Sequence, residues 1–222
     1  MQKRLVIAID GPSGSGKSST SREVARRLGL GYLDTGAMYR AVAVAFLDSG
    51  VSRDDTAGII AATRCANIGL SLDPHQRWVR VHDRKVTDEI REPRTSAQVS
   101  AVATIPECRA DLVARQRALM DADPRGVVAE GRDITTVVYP DAGLRLLLTA
   151  SPEARLRRRR GDLGAGVSDA DLRDQVLRRD RDDSTLVEFS TPAEGVTLLD
   201  TSEMTFEQVV DRIVSLAQEV RA

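Results

Sequence analysis

Cysteine, histidine and aromatic residues are scarce in this sequence of 222 residues. The two cysteines, Cys65 and Cys108, lie far apart and have no Cys-x-x-Cys partner, so we expect free thiols in a reducing compartment rather than a metal site. The two histidines, His75 and His82, fall on a predicted hairpin and are expected at the surface. Aromatic residues make up only 3% of the chain, too few for a platform on which nucleic-acid bases stack.

Long apolar runs and a net charge of either sign are missing as well. The longest apolar runs, Leu5–Ile9 and Leu144–Leu148, are far shorter than the ~18 residues of a membrane span. The N-terminal segment reaches a glycine-rich turn before the apolar region of a signal peptide could develop. With 32 Lys+Arg against 33 Asp+Glu, the formal net charge is -1, unlike that of most dedicated nucleic-acid-binding proteins. We expect a cytoplasmic monomer that binds neither nucleic acid nor a membrane.

Lysine is rare too, because it occurs only at Lys3, Lys17 and Lys85, and arginine supplies nearly all the positive charge. The base composition of a genome would explain this bias. Frequent bidentate contacts with phosphate or carboxylate groups, which arginine makes and lysine does not, would explain it equally well. Both explanations stay open.

Short apolar runs alternate with segments of helical periodicity, which predicts an α/β fold with a parallel sheet flanked by helices. The predicted strands cover 4–9, 32–33, 127–129, 144–149 and 196–199. The predicted helices cover 17–28, 37–47, 55–65, 95–120 with an interruption near Pro106, and 206–220. Alternation over 68–72 and 78–82 predicts an inserted antiparallel hairpin, to which 84–87 adds a third strand. Charged helical segments within 153–189 complete the pattern.

The segment from Gly11 to Ser18 fits the phosphate-loop pattern G-x-x-x-x-G-K-[ST] at every defined position. It follows a predicted strand and opens a predicted helix, which is the context this motif requires. Its backbone N–H groups surround phosphate oxygens, while Lys17 reaches the β- and γ-phosphates and the Ser18 hydroxyl ligates Mg²⁺. The nucleotide-binding residues predicted here are Gly11, Pro12, Ser13, Gly14, Ser15, Gly16, Lys17, Ser18 and Ser19.

Two segments match motifs of other protein classes only superficially. Asp55 to Gly58 fits the Asp-x-x-Gly element of GTPases, but no apolar strand leads into it. The guanine-reading Asn-Lys-x-Asp motif is absent, because Asn67 is the only asparagine. The triplet from Asp34 to Gly36 resembles that of aspartic proteases, but it occurs once and lies outside any all-β context. These observations favour a small-molecule kinase over a GTPase or a protease.

Further polar residues follow two of the predicted strands. Thr35 and Arg40 lie just after the second strand, and Arg132 and Asp133 follow the strand over 127–129. The carboxyl ends of parallel strands share one edge of the sheet, where ligands usually bind, although a surface ion pair would also explain Arg132 and Asp133. Arginine-rich segments over 155–160 and 178–183 suit a lid that neutralises phosphate charge and excludes water. A solvated charged face is the simpler alternative.

Together these residues resemble those of bacterial cytidylate kinases, in the nucleoside monophosphate kinase group. The resemblance runs in order along nearly the whole chain. It rests on residues 9–19, 34–40, 89–91, 130–134, 136–142, 179–180, 183–184 and 200–201. It implies a single domain with a core at about 1–35, 121–152 and 190–222, a monophosphate-binding region at about 36–120 and a lid at about 153–189.

The resemblance further implies transfer of the γ-phosphoryl group of ATP, with Mg²⁺, to CMP or dCMP in pyrimidine nucleotide metabolism. It implies catalytic roles for Lys17, Arg132 and Arg157. The residues that it implies for acceptor binding are Thr35, Arg40, Ser100, Arg109, Arg132, Asp133, Arg179 and Asp183. Among them, Ser100, Arg109 and Asp133 would read cytosine, since a carboxylate accepts from the exocyclic amino group that uracil lacks.

The chain departs from the family pattern at two places. Thr185 and Leu186 stand where the family has an arginine after the Asp183-Ser184 pair, so a ribose or phosphate contact is in doubt. Thr135 stands where the family has glycine, and its side chain would either narrow the acceptor pocket or tighten the loop.

Three other functions stay open from the sequence. They are a kinase for another small acceptor, an RNA-stimulated ATPase that binds RNA through its arginine-rich helices, and an ATP-binding module without turnover.

Overall fold

The computed structural model describes residues 4–163 and 191–221. Within this part of the chain a five-stranded parallel sheet has the order β2-β6-β1-β7-β8, and a three-stranded antiparallel sheet has the order β3-β4-β5. The strands are β1 (Val6–Asp10), β2 (Gly31–Asp34), β3 (Ile68–Leu70), β4 (Val79–Val81), β5 (Arg84–Lys85), β6 (Val127–Gly131), β7 (Leu144–Thr149) and β8 (Thr197–Asp200). The predicted α/β fold and the small antiparallel insert are confirmed.

Helices cover both faces of the parallel sheet. They are α1 (Lys17–Leu28), α2 (Thr35–Ser49), α3 (Thr56–Cys65), α4 (Pro93–Ser96), α5 (Val99–Ala103), α6 (Pro106–Ala122), α7 (Pro152–Leu163) and α8 (Phe206–Arg221). A 3₁₀ turn covers Glu89–Arg91, and a short π-helix covers Ile134–Val138. None of the described helices is long and apolar enough to cross a membrane.

Strand β1 shows how the sheet separates two cores. Val6 and Ala8 belong to the core beneath α2 and α6, while Ile7 and Ile9 belong to the core beneath α1 and α8. Because successive side chains of a strand point to opposite faces, a strand covered on both sides is apolar at every position. Strand β1 is the central strand of the sheet, so the loop that follows it lies midway along the row of carboxyl strand ends.

The inserted sheet packs against the core at the outer edge of β2. The Tyr32 amide donates to the Leu72 carbonyl at 2.8 Å, and Val79 and Val81 of β4 pack against α2. The insert therefore covers an edge strand that would otherwise leave its backbone groups unpaired.

The helical prediction over 95–120 differs in detail from the structure, which has α4, α5 and α6 between residues 93 and 122. Pro93 and Pro106 each begin a helix, because proline lacks the N–H that a helix interior requires but is tolerated in the first turn. The predicted break near Pro106 is confirmed. The π-helix at Ile134–Val138 and the 3₁₀ turn had no recognisable pattern in the sequence.

Candidate active site

The predicted phosphate loop connects β1 to α1 at the carboxyl edge of the sheet. Gly11 adopts φ +148°, and a Cβ there would lie 2.0 Å from the Leu148 carbonyl oxygen, so only glycine fits beside β7. Gly16 is the N-cap of α1, with φ +90° and no side chain that could cap the helix. An uncapped helix N-terminus presents N–H groups and positive potential to an anion. The loop therefore has the geometry that phosphate binding requires.

Lys17 lies within this loop. Its side chain is buried, and its Nζ atom donates to the Pro12 carbonyl at 2.9 Å. The ammonium group therefore lies at the centre of the loop, where a triphosphate would place its outer phosphates.

Two arginines of α7 hold the loop from outside. Arg155 donates to the Ser13 carbonyl at 3.0 Å, and Arg158 donates to the Ser15 carbonyl at 3.1 Å. Arg158 also donates to the hydroxyl and the carbonyl of Thr201, at 2.9 and 2.6 Å. Both arginines therefore bond to backbone carbonyls of the phosphate loop and fix its position against α7.

Burial, and then the charge of Arg157, lowers the pKa of Arg158. Arg157, for which the family resemblance implies a catalytic role, is exposed on α7. The contacts with the loop come instead from its neighbours Arg155 and Arg158, which the sequence analysis did not single out as site residues.

Several predicted acceptor residues lie beside the phosphate loop. Arg132 donates to the Gly11 carbonyl at 2.8 Å, and the Thr35 hydroxyl donates to the Glu130 carbonyl at 2.7 Å. These bonds connect the ends of β1, β2 and β6, which are neighbours in the sheet. The structure therefore brings Thr35 and Arg132 to the edge that holds the loop.

Asp133 and Arg109 form an ion pair at this edge. Arg109 of α6 and the Asp133 carboxylate approach to 2.5 Å, and Asp133 is buried. Burial, and then the charge of Asp133, raises the pKa of Tyr39 to about 12. Asp133 and Arg109 therefore form a polarised pair of hydrogen-bonding groups with Tyr39 close by.

The other predicted acceptor residues are less constrained. Arg40 is half-buried on the second turn of α2. Ser100 on α5 accepts a bond of 3.3 Å from Arg53, so it contacts an arginine outside the predicted set. Arg179 and Asp183, together with the departures at Thr185 and Leu186, lie outside the described residues.

Asp10 is a part of the site that the sequence analysis missed. Its buried carboxylate accepts from the Ile134 amide at 2.9 Å, from the Thr135 amide at 2.8 Å and from the Thr135 hydroxyl at 2.6 Å. Burial raises the pKa of Asp10, while these hydrogen bonds oppose the rise. The Thr135 side chain thus tightens the loop after β6, which is one of the two outcomes expected for it. An acid at the end of an otherwise apolar strand was the signal in the sequence.

Glu130 is a second missed residue. It is buried at the end of β6, and the Tyr32 hydroxyl donates to its carboxylate at 2.8 Å. Burial, and then the charge of Asp34, raises the pKa of Glu130, whereas the charge of Lys17 and hydrogen bonds from Ser18 and Tyr32 lower it. A carboxylate is therefore placed beside the lysine and the serine of the phosphate loop. The available signal was an acid directly after the apolar run Val127–Ala129.

Metal-binding groups are few in the described part of the chain, where no three His, Cys, Asp or Glu side chains cluster in a way that could hold an ion. Mg²⁺ in kinases is held mainly by substrate phosphates and water, with one or two protein oxygens. The exposed Ser18, with the Glu130 carboxylate beside it, fits that limited requirement.

Comparison with known proteins gives consistent matches along the chain. The family model described as Cytidylate kinase matches residues 7–219. A cytidylate kinase of Cutibacterium acnes is 51% identical over 214 residues, covering 96% of this chain and 95% of that protein. A cytidylate kinase of Corynebacterium glutamicum is 47% identical over 219 residues, covering 96% and 94%. A solved gluconokinase from Sinorhizobium meliloti, 13% identical, has a TM-score of 0.53 and covers 100% of this chain and 95% of that one, a likeness of fold alone.

Proposed function

This chain belongs to the cytidylate kinase family, and we propose that it transfers the γ-phosphoryl group of ATP to CMP or dCMP, giving ADP and CDP or dCDP. The observation that carries this proposal is the hydrogen bond of 2.8 Å from Arg132 to the Gly11 carbonyl. It joins the residue pair Arg132-Asp133, suited to an acceptor nucleotide, directly to the loop suited to a donor triphosphate. In-line phosphoryl transfer requires both substrates to meet at such a junction.

Residues 11–19 would hold the triphosphate of ATP on the donor side. Lys17, already within the loop, would stabilise the charge of the transferring phosphoryl group. Ser18 would be a direct ligand of Mg²⁺, and the ion would supply positive charge against the triphosphate. Glu130 would orient the water molecules around that ion, since its buried carboxylate lies beside Ser18.

Arg132 and Arg40 would bind the α-phosphate of CMP on the acceptor side, and Thr35 would position it at the N-terminus of α2. The Asp133 carboxylate would accept from the exocyclic amino group of cytosine, and Arg109 holds that carboxylate in place through the ion pair of 2.5 Å. Uracil has a carbonyl oxygen in place of this amino group. Because that oxygen cannot donate a hydrogen bond to the Asp133 carboxylate, uracil would bind less well. The acceptor phosphate is already an anion, so no general base is needed. Electrostatic stabilisation and positioning supply the catalysis.

We further propose that residues 153–189 act as a lid over the phosphates and that 36–120 bind the monophosphate. Of the proposed lid residues the structure describes those up to 163. The contacts of Arg155 and Arg158 with the phosphate loop support the proposal. Ser100, Arg157, Arg179 and Asp183 complete the proposed set, the last two from the family resemblance alone. We propose a cytoplasmic monomer that uses small nucleotides and binds neither nucleic acid nor a membrane.

The test is a coupled assay of ADP release with Mg-ATP and, in separate reactions, CMP, dCMP, UMP, AMP, GMP or no acceptor. We expect turnover with CMP and dCMP well above that with the other acceptors. Lys17→Ala should abolish this turnover, while Lys85→Gln, which removes a lysine from the insert, should retain it. Turnover with another acceptor would refute the cytidine specificity, and equal ADP release without acceptor would refute the kinase assignment. RNA-stimulated release would indicate the alternative ATPase.

A further inference from the structure

Three arginines line a small cavity between the insert and the core, which adjoins the acceptor edge but includes none of the predicted site residues. Arg22 comes from α1, Arg77 from the loop before β4, and Arg91 from the 3₁₀ turn. Asp34 and Trp78 also line the cavity. Two of the three cations belong to the insert and one to the core, so the cavity lies at the junction of these two parts.

Positive charge exceeds negative charge in this cavity. Arg91 lies 3.8 Å from the Asp34 carboxylate, which also accepts the Ala37 amide as the N-cap of α2. Arg22 lies over the ring of Tyr32, 4.9 Å from its centre. Among residues 4–163 and 191–221, no carboxylate lies within ion-pair distance of Arg77 or Arg22. One carboxylate therefore faces three guanidinium groups.

The electrostatics of Arg77 reflect this imbalance. Burial lowers the pKa of Arg77, the charges of Arg91 and Arg22 lower it further, and only Asp34 and Tyr32 oppose them. Three like charges held together with a single carboxylate still repel one another, and a bound anion would convert that repulsion into charge-assisted hydrogen bonds.

We propose that this cavity is a second oxyanion site, which binds a phosphate group between Arg22, Arg77 and Arg91 and ties the insert to the core. Planar guanidinium groups match the oxygens of phosphate and can each donate two bonds. Ser71 and Gln76 also line the cavity, and their polar side chains would add neutral hydrogen bonds. The site lies on the α1 side of Tyr32, whose hydroxyl bonds to Glu130 of the phosphate-transfer site. The bound group is either free phosphate or the phosphate of a small monoester.

The test is a titration of inorganic phosphate into the full chain in phosphate-free buffer, followed by calorimetry and by thermal unfolding. The phosphate loop contributes equally in all variants, so the comparison between variants isolates the second site. We expect Arg77→Gln and Arg91→Gln each to weaken one class of phosphate binding about tenfold or more and to reduce the phosphate-dependent rise in melting temperature. Lys85→Gln removes one positive charge from exposed β5 and should behave like the unmodified chain.

Folding is checked in the same experiment. Without phosphate, Arg77→Gln should melt no lower than the unmodified chain, because it relieves repulsion among the arginines. Arg77→Lys keeps the charge and should retain part of the binding. If Arg77→Gln and Arg91→Gln both give the same isotherm and the same phosphate-dependent melting shift as Lys85→Gln, the proposal is wrong.

A parallel titration with ribose 5-phosphate distinguishes the two sources of the phosphate group. If both ligands bind and Arg77→Gln weakens the binding of each, the site accepts phosphate monoesters. If only inorganic phosphate binds in this way, the site is specific for the free ion. If Arg77→Gln and Lys85→Gln bind each ligand with the same affinity, the proposed site is wrong. None of these readouts depends on phosphoryl transfer, so the proposal stands or falls independently of the kinase reaction.

Discussion

Substituting Thr135 by valine tests whether the loop after β6 is held by Asp10. Valine keeps the shape of threonine and removes the hydroxyl, which donates to the Asp10 carboxylate at 2.6 Å. Two backbone donors, the amides of Ile134 and Thr135, would still bond to this carboxylate at 2.9 and 2.8 Å. The substitution therefore removes one of three bonds from a buried acid and leaves the other two in place.

A hydrogen bond to a charged group contributes about 1.5–3 kcal/mol, so we expect Thr135→Val to lower the free energy of unfolding by about 2 kcal/mol. For a chain of this size that corresponds to a fall in melting temperature of about 4–8 °C. Because the same loop carries Arg132 and Asp133, the KM for CMP should rise as well. Chemical denaturation monitored by circular dichroism measures the stability, and the coupled assay measures KM.

The effect should depend on pH, because the hydroxyl stabilises the ionised form of Asp10. Burial raises the pKa of Asp10 above 3.8, and loss of the Thr135 bond, which lowers it, would raise it further. The difference in stability between the two proteins is therefore fully present at pH values above the pKa in the variant. This difference shrinks as the pH falls through the pKa of Asp10 in the variant and then through the pKa of Asp10 in the unmodified chain.

Two further variants control this experiment. Thr136→Val makes the same change at the neighbouring exposed position and should alter stability little. Thr135→Ser retains the hydroxyl and should recover most of the loss. Equal stability of Thr135→Val and Thr136→Val, or a loss that stays constant down to acid pH, would refute the role given to Asp10.

Three other changes test the remaining parts of the site. Asp133→Asn should raise the KM for CMP at least about tenfold and lower the ratio of CMP to UMP turnover; an unchanged ratio would remove Asp133 from base recognition. Glu130→Gln keeps an acceptor for Tyr32 but removes the charge beside Ser18, so kcat should fall and the Mg²⁺ concentration for half-maximal rate should rise; an unaltered Mg²⁺ titration would contradict this role. A thiol reagent should modify exposed Cys65 rapidly and buried Cys108, whose pKa burial raises, only on unfolding; rapid reaction of two thiols in the native protein would contradict the packing.

Local patterns predicted the central fold well because they report directly on burial. The helix predicted over 17–28 and the strand over 144–149 coincide with α1 and β7, since apolar periodicity identifies elements packed on one face or on both. The predicted ends of α2 were less accurate. The helix begins at Thr35 because the Asp34 carboxylate accepts the Ala37 amide at 2.9 Å, a capping contact that periodicity does not register.

The same capping chemistry explains the false GTPase motif. The Asp55 carboxylate accepts the Gly58 amide at 2.9 Å and is the N-cap of α3. An acid and a glycine at this spacing begin a helix here, so their structural role accounts for the pattern.

The sequence by itself determined the alternating α/β order, the phosphate loop and the family, because these depend on neighbouring residues and on motifs of fixed spacing. Only the tertiary structure decided that Asp10 holds the loop at Thr135, that Glu130 lies beside the phosphate loop, and that Arg158 rather than Arg157 contacts it. Such contacts join residues distant in the chain, and they depend on the order of strands in the sheet and the rotation of a helix about its axis. No local pattern encodes either quantity, so partners of buried charges become known only when the chain is folded.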